Sequence, residues 1–209
     1  RSTLDGTLFP YTTLFRSDQD FYDYILINHA SVPDRTAYLL DNSRENPLPA
    51  LIDDVRRLDG FGVRFIVLLC NTAHHFLSQM QACATAPILN MPAIAVSALR
   101  REYPEARRIG LIAAQGSIRT GIYDGALRDC GLTPVLPEPP VQAEIAELIY
   151  ADLKQNGYLN VARFNQITDA LFRQGCDAVL IGCTEISAVY VSAGARSEEH
   201  TSELQSHHP

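Results

Sequence analysis

Two cysteines in matching sequence contexts are the residues of this chain best suited to chemistry. Cys70 follows the apolar run Phe65–Leu69, and Cys183 follows the apolar run at residues 178–182. Each cysteine lies where a predicted buried strand stops and a predicted helix begins, and a helix N-terminus stabilises a thiolate. Two thiols on opposite sides of a small molecule could invert a stereocentre, because one removes a proton from carbon and the other returns a proton to the opposite face.

Removal of a proton from carbon also needs hydrogen-bond donors that neutralise a neighbouring carboxylate. Thr72 and Thr184 follow the two cysteines closely and could supply such donors. Ser117 lies in the predicted loop after the apolar run that begins at Ile109. Arg35 could hold a carboxylate through two parallel hydrogen bonds, although its spacing fits a solvated residue at a helix start equally well.

The cysteines and histidines also have a purely structural interpretation. A single cysteine at the end of a buried strand is more often a small core residue than a catalyst, but two copies in matching contexts favour a functional pair. His74 lies four residues after Cys70, a possible spacing for metal ligands, yet no further Cys or His cluster accompanies it. The sequence therefore predicts no metal site and places His74 in the first turn of a helix. The other cysteines are predicted to be packing residues: Cys83, Cys130 and Cys176.

Composition and charge exclude several classes of protein. The 209 residues are 46% hydrophobic and 20% charged, and no apolar run approaches the roughly 20 residues that span a membrane. A formal net charge of -7 without a basic run argues against nucleic acid or an anionic membrane as partner. The number of cysteines, five, is odd and no signal-peptide pattern is present, which predicts free thiols in a reducing compartment, the cytoplasm.

Predicted strands and helices alternate along the chain. The apolar run Tyr24–Asn28 is predicted to be a strand, and Pro33–Thr36 a turn that begins a helix. Apolar residues recur at helical spacing from Leu48 to Leu58, and Asn160 is predicted to cap another helix. Strands that alternate with helices form parallel sheets covered by helices on both faces.

The cysteine pattern occurs twice, and this repetition predicts two similar lobes. We expect an α/β protein in which each lobe is a parallel sheet flanked by helices, the first at residues 18–96 and the second at residues 97–195. Ligands bind outside the carboxyl ends of the strands in such sheets. The prediction is therefore an active site in the cleft between the lobes, with Cys70 and Cys183 meeting across it.

Three motifs carry a family resemblance, and they are Pro33-Asp34-Arg35-Thr36, Leu69-Cys70-Asn71-Thr72-Ala73-His74 and Gly182-Cys183-Thr184-Glu185. They are similar to motifs of the aspartate/glutamate racemase family of amino-acid racemases, and the resemblance spans residues 18–195. It implies an isomerase that uses neither pyridoxal phosphate nor any other cofactor. It also implies a small-molecule amino-acid substrate, a cleft between two α/β lobes and a homodimer.

The resemblance implies roles for individual residues as well. Cys70 and Cys183 would be the two acid/base thiols. Ser117 falls where the family often has threonine, and Lys154, a surface lysine by spacing alone, matches a family lysine near the substrate. The resemblance implies that the α-carboxylate region is bound by Asn71, Thr72 and Thr184, and that Arg35 holds a carboxylate. Ser117 and Lys154 complete the implied substrate-binding residues.

Both ends of the chain are interpreted as foreign to the fold. Residues 7–17 and 196–207 resemble in-frame translations of two sequencing adaptors, so residues 1–17 and 196–209 are expected to be non-native tails. The family begins with a strand and a glycine-rich loop and ends with a strand and a helix, which residues 18–195 would lack. We therefore expect a poorly stable chain with reduced or lost activity.

Three other functions are compatible with the same residues. A maleate cis-trans isomerase or a hydantoin racemase of the same superfamily would share the motifs, and the isomerase would use one cysteine as a nucleophile on a double bond. A non-catalytic small-molecule binding protein could share the duplicated architecture. Retention of both cysteines, with Thr72 and Thr184 close to them, argues against the binding protein. Overall likeness favours the amino-acid racemase over the other two enzymes.

Overall fold

The computed structural model of the chain describes residues 23–192 and 204–206. The chain divides into two compact units, residues 1–30 and residues 31–209, and every helix and strand named below lies in the second. The strand predicted at Tyr24–Asn28 is wrong, because a strand needs a hydrogen-bonded neighbour and no described strand pairs with this segment. Within the described ranges, no helix is long and apolar enough to cross a bilayer.

The first half of the second unit builds a two-stranded parallel sheet flanked by helices. Asp34 begins the first helix, because its carboxylate accepts the Ala37 N–H at 2.9 Å, and this confirms the predicted helix start. In chain order the elements are α1 (Arg35–Leu40), α2 (Leu48–Gly60), β1 (Ile66–Val67), a 3-10 helix (Thr72–Phe76), α3 (Leu77–Gln81), β2 (Ile88–Leu89) and α4 (Met91–Glu102).

The apolar run before Cys70 is less regular and less buried than predicted. Only Ile66 and Val67 form a strand, and they pair with β2 over two residues. Side chains alternate between the faces of a strand, so Ile66 is buried while Phe65 and Leu69 are 52% and 59% exposed. The prediction of a fully buried strand is wrong because the core covers one face of this run only.

The second half of the unit builds a larger sheet with strand order β4-β3-β5-β6. The first three strands in this order are parallel, which confirms the predicted α/β class, and β6 is antiparallel to β5. Because β6 lies in the segment interpreted from the sequence as a tail, it was not predicted. The elements are β3 (Arg108–Ala113), α5 (Gln115–Thr120), α6 (Asp124–Asp129), β4 (Thr133–Val135), α7 (Pro139–Glu147), a π-helix (Leu148–Gln155), α8 (Val161–Arg173), β5 (Ala178–Gly182), α9 (Thr184–Ser192) and β6 (Leu204–Ser206).

The central strands β3 and β5 are packed on both faces. On one face Ile112 and Ile181 contact the cluster built by α7, the π-helix, α8 and α9. On the other face Ile109 and Leu180 contact the cluster built by α4 and α6. Near the amino ends, the Asp177 carboxylate accepts the N–H groups of residues 107 and 108, each at 2.8 Å.

The register of these two strands fixes where their carboxyl ends lie. Ala113 is paired with Gly182, so β3 and β5 end side by side. The segment after β3 is the first turn of α5 and not the predicted loop, since the N–H groups of Ser117 and Ile118 bond to the Ala114 carbonyl. The start of α5 and Cys183 therefore lie at the same edge of the sheet.

Candidate active site

A cleft in the second unit contains both cysteines of the repeated motif. It has about 500 Å³ of empty space, part of which is open to solvent. Its lining residues come from the segments after β1, β3 and β5, from the start of α1 and from the π-helix. They are Asp34, Arg35, Thr36, Leu69, Cys70, Asn71, Thr72, Ala114, Ile149, Tyr150, Lys154, Gly182, Cys183, Thr184 and Glu185.

Ser117 is the one predicted catalytic or substrate-binding residue that does not line this cleft. Its hydroxyl is buried 2.9 Å from the hydroxyl of Thr72, a lining residue. Gly116 packs so close to Thr36 and Thr72 that an added Cβ would lie 3.0–3.2 Å from them. The start of α5 therefore supports the wall that contains Thr72, and the Ser117 hydroxyl is connected to the cleft through Thr72.

The segment after Cys70 is fixed by buried polar contacts. Cys70 itself is half-buried, whereas Asn71 and Thr72 are 6% and 7% exposed. The Asn71 Oδ1 accepts a hydrogen bond from the Tyr123 hydroxyl at 2.6 Å. Sequence analysis missed Tyr123 because it lies 52 residues from Asn71 and belongs to no motif.

His74 holds the same segment from the other side. Its Nδ1 lies 2.9 Å from the carbonyl oxygen of Cys70, and its Nε2 accepts the Met91 N–H at 3.3 Å. Since a carbonyl only accepts, Nδ1 carries the proton and the ring is neutral. Burial lowers the pKa of His74, which also favours the neutral form. His74 lies in the 3-10 helix, as predicted, and connects Cys70 to the start of α4.

Cys183 is buried between β5 and α9, and its thiol donates a hydrogen bond to Oε2 of Glu185 at 3.2 Å. Burial raises the pKa of the Cys183 thiol, and the Glu185 carboxylate raises it further. The backbone N–H groups of Glu185 and Ile186 favour the thiolate but do not outweigh these two effects. The expectation that the helix start alone would activate this thiol is therefore wrong, and the raised pKa keeps Cys183 protonated at neutral pH.

Glu185 connects three polar groups of the cleft. Its Oε1 lies 3.2 Å from the Lys154 ammonium, and its Oε2 accepts the Thr184 hydroxyl at 3.0 Å as well as the Cys183 thiol. Burial alone would raise the pKa of Glu185, but the Cys183 thiol and the Lys154 ammonium lower it, so the group is a carboxylate at neutral pH. Burial alone would lower the pKa of Lys154, and the Glu185 carboxylate raises it.

Glu185 was missed as a site residue although the sequence held a signal for it. It lies two residues after Cys183, in the first turn of α9, where a side chain can reach back to the residue before the helix. Lys154 comes from the π-helix, and its ammonium also lies 5.1 Å from the centre of the Tyr150 ring.

Arg35 is a second cation of the cleft. Its Nη1 donates to the carbonyl oxygens of Val32 and Pro33 at 3.3 Å and 3.2 Å. In the part of the chain that the structure describes, it forms no ion pair with a carboxylate, so its guanidinium is available to an anion. Over the same residues, no group of three or more His, Cys, Asp or Glu side chains is placed to hold a metal ion.

Comparisons with known proteins agree on one family. A family model described as Asp/Glu/Hydantoin racemase matches residues 12–200. The broad specificity amino-acid racemase RacX of Bacillus subtilis is 28% identical over 141 residues, which are 67% of this chain and 60% of that protein. A glutamate racemase of Picosynechococcus is 23% identical over 145 residues, which are 69% of this chain and 50% of that protein.

A solved structure shares the fold. Picrophilus torridus aspartate racemase superimposes with a TM-score of 0.64 at 25% identity, over 86% of this chain and 83% of that one. The matched stretches span 60% of the amino-acid racemase and 50% of the glutamate racemase, so the chain covers little more than half the length of these relatives.

The His74 contacts make stability depend on pH. Because the pKa of His74 is lower in the folded chain than its usual value near 6.5, its contribution is complete above about pH 6.5 and is lost as the pH falls. We expect the free energy of unfolding to decrease by at most about 1.4 kcal/mol per pH unit in this range.

Urea unfolding at pH 8, 6 and 5 tests this expectation. His74→Gln should have a shallower pH dependence than the unsubstituted chain, and substitution of its exposed neighbour, His75→Gln, should leave the dependence unchanged. Equal pH dependence of the chain and His74→Gln would contradict the assignment.

Proposed function

This chain belongs to the Asp/Glu/hydantoin racemase family, and we propose that it is a cofactor-independent racemase of aspartate or glutamate type. In this proposal Cys70 and Cys183 move protons on opposite faces of the α-carbon. The observation that supports it most is that the two thiols line one cleft together with two cations and several hydrogen-bond donors. The names of the relatives also favour amino-acid substrates.

Substrate binding in this proposal uses the two sides of the cleft differently. The hydroxyl of Thr72 and the amide of Asn71 are donors close to the thiols, and they would receive the α-carboxylate. The Thr184 hydroxyl, which donates to Glu185, would turn away from that carboxylate to join them. Arg35 and Lys154 are the cations, and they would receive the side-chain carboxylate of an acidic amino acid. Because the Glu185 carboxylate already neutralises Lys154, Arg35 would supply more of the attraction.

The proton transfers follow from the protonated state of Cys183 and from the position of Cys70 in the same cleft. Cys70 acts as the base in this direction: its sulfur removes the α-proton, and the electrons of the C–H bond move into the carboxylate, which the donors stabilise. The Cys183 thiol then gives its proton to the opposite face and becomes a thiolate. The products are the inverted amino acid, a Cys70 thiol and a Cys183 thiolate, and the reverse reaction uses the same groups in opposite roles.

Glu185 determines which of the two cysteines starts the reaction as the acid. Its carboxylate accepts the hydrogen bond of the Cys183 thiol and therefore keeps the proton on that sulfur. The thiolate formed after proton transfer would face the same carboxylate, with Lys154 and Thr184 as the nearest compensating groups. The two thiols are thus unequal, although they lie at equivalent points of the repeated motif.

Several finer features belong to the same proposal. We assign residues 18–96 and 97–195 to the two lobes and expect a homodimer, as the family resemblance implies. Five cysteines without a disulfide fit a reducing compartment, and the cytoplasm is the proposed location.

Proton NMR in deuterated buffer tests the proposed reaction. The chain is incubated with aspartate, glutamate and maleate, and we expect the α-proton signal of an acidic amino acid to disappear as deuterium replaces it. Appearance of fumarate with intact amino-acid signals would assign a maleate isomerase, and no change in any signal would leave a binding protein.

The two cysteines should both be required for racemisation. Positioned acid/base groups contribute about 10²–10⁴-fold, so Cys70→Ser and Cys183→Ser should each lower the racemisation rate by at least about 10²-fold. Cys130→Ser, at a half-buried cysteine outside the cleft, is the control and should keep the original rate. Racemisation that survives either of the first two substitutions would contradict the two-thiol mechanism.

Removal of the Glu185 charge should make Cys183 more reactive. Glu185→Gln removes a negative charge beside the thiol and lowers its pKa, and each unit of this decrease raises the thiolate fraction about tenfold. We expect several-fold faster alkylation of Cys183 by iodoacetamide at pH 8, measured by mass spectrometry of the peptide that contains it.

Glu147→Gln, an exposed glutamate of α7, is the matched control and should leave the alkylation rate unchanged. The Cys70 peptide is an internal reference for access of the reagent to the cleft. Slower or unchanged alkylation of Cys183 in Glu185→Gln would show that Glu185 does not hold the proton on this thiol.

A further inference from the structure

A buried phenol contacts the neighbours of both cysteines. Tyr123 lies directly before α6 and is 2% exposed. Its hydroxyl donates a hydrogen bond to Oδ1 of Asn71, the residue after Cys70, at 2.6 Å. Its ring lies against Gly182, the residue before Cys183. One side chain therefore connects the two segments that deliver the thiols.

The contact with Gly182 leaves no space for a larger residue. A Cβ added to Gly182 would lie 2.8 Å from the Cε2 carbon of the Tyr123 ring and 2.9 Å from the hydroxyl oxygen. A Cβ atom in a folded protein essentially never comes within 3.0 Å of another group in this way. The ring can therefore occupy its position only because residue 182 is glycine.

The hydrogen bond determines which way the Asn71 amide faces. Because the phenol donates to Oδ1, the two hydrogens of Nδ2 are held at the opposite end of the planar amide group, directed away from the phenol. Asn71 is 6% exposed and lines the cleft, and its Nδ2 has no partner among the described residues. A donor that is fixed, lines a cleft and has no partner among the described residues is suited to a carboxylate.

We infer that Tyr123 is a positioning residue of this site: its hydroxyl presents the Asn71 amide donors to the substrate carboxylate, and its ring sets the spacing between Asn71 and Gly182. This inference rests on the proposed racemase function, because it assigns the donor that the α-carboxylate would meet. In this role Tyr123 acts through Asn71 and Gly182, the residues beside the two thiols.

Core packing alone does not explain this tyrosine. The ring is packed against the cluster that α4 and α6 form, where a phenylalanine would fill the same space. A buried hydroxyl is unfavourable unless it is hydrogen-bonded, and here its acceptor is the side chain of a residue that lines the cleft.

Tyr123→Phe separates the two roles, because it keeps the ring and removes only the hydroxyl. Oδ1 of Asn71 then loses its donor and the amide can rotate, so the KM for the amino acid should rise about 5-fold to 50-fold. A variant that was merely less well folded would have a lower kcat at unchanged KM. Tyr190→Phe, at a half-buried tyrosine of α9, is the control and should keep the original KM.

Gly182→Ala tests the ring contact. The added methyl group would displace the Tyr123 ring and should raise KM at least as much as Tyr123→Phe. Gly125→Ala is the matched control, since Gly125 is in α6 and an added Cβ there meets no atom within 4 Å.

A double substitution identifies the residue through which Tyr123 acts. If the hydroxyl works through the Asn71 amide, Tyr123→Phe should change KM less than about twofold when Asn71→Ala is already present. Independent effects that multiply in the double variant would overturn the inference, as would an unchanged KM in Tyr123→Phe alone.

A readout that needs no activity distinguishes failure of this inference from failure of the proposed function. The side-chain amide resonances of Asn71, assigned by their loss in Asn71→Ala, should be two sharp signals in the unsubstituted chain and should shift or broaden in Tyr123→Phe. Unchanged signals would overturn the inference. A chain that racemises nothing but shows the predicted spectral change would overturn the proposed function and leave the amide contact established.

Discussion

The parallel pairing of β3 with β5 is the constraint on which the site depends. Five residues of each strand are paired from Ile109 with Ala178 to Ala113 with Gly182, and both strands are covered on both faces. Because this pairing fixes the carboxyl ends of β3 and β5 side by side, the start of α5 and Cys183 lie at one edge of the sheet. From that edge, Ser117 supports Thr72, and Gly182 makes room for the Tyr123 ring.

Burial and charge make the two thiols unequal. Cys183 is buried and donates its hydrogen to a carboxylate, whereas Cys70 is half-buried and lies in a segment held by neutral contacts from His74 and Tyr123. Glu185 also forms an ion pair with the Lys154 ammonium, so a substrate carboxylate that enters the cleft must share that cation with Glu185. One carboxylate therefore affects both proton transfer and substrate binding in the proposed mechanism.

Local sequence signals predicted the parts of this structure that depend on neighbouring residues. The Asn160 cap and the helix start within Pro33–Thr36 were predicted because such signals act within one helical turn, and the side chains of Asp34 and Asn160 each accept an N–H group of their helix. The contacts of Tyr123 with Asn71 and of Lys154 with Glu185 were not predicted, because they join segments that only the order of the strands brings together. The strand before Cys70 was overpredicted, because an apolar run does not reveal how many strands lie beside it.

The central claim is that two different groups move protons on the two faces of the α-carbon, and the isotope pattern of the first turnovers tests it most directly. Protiated L-aspartate is incubated in deuterated buffer and stopped at a few per cent conversion, and the deuterium content of each enantiomer is measured after chiral separation. Two-thiol transfer predicts D-aspartate with deuterium at the α-carbon and remaining L-aspartate with almost none. Deuterium that appears equally in both enantiomers would indicate a single base serving both faces and would contradict the assignment of Cys70 and Cys183.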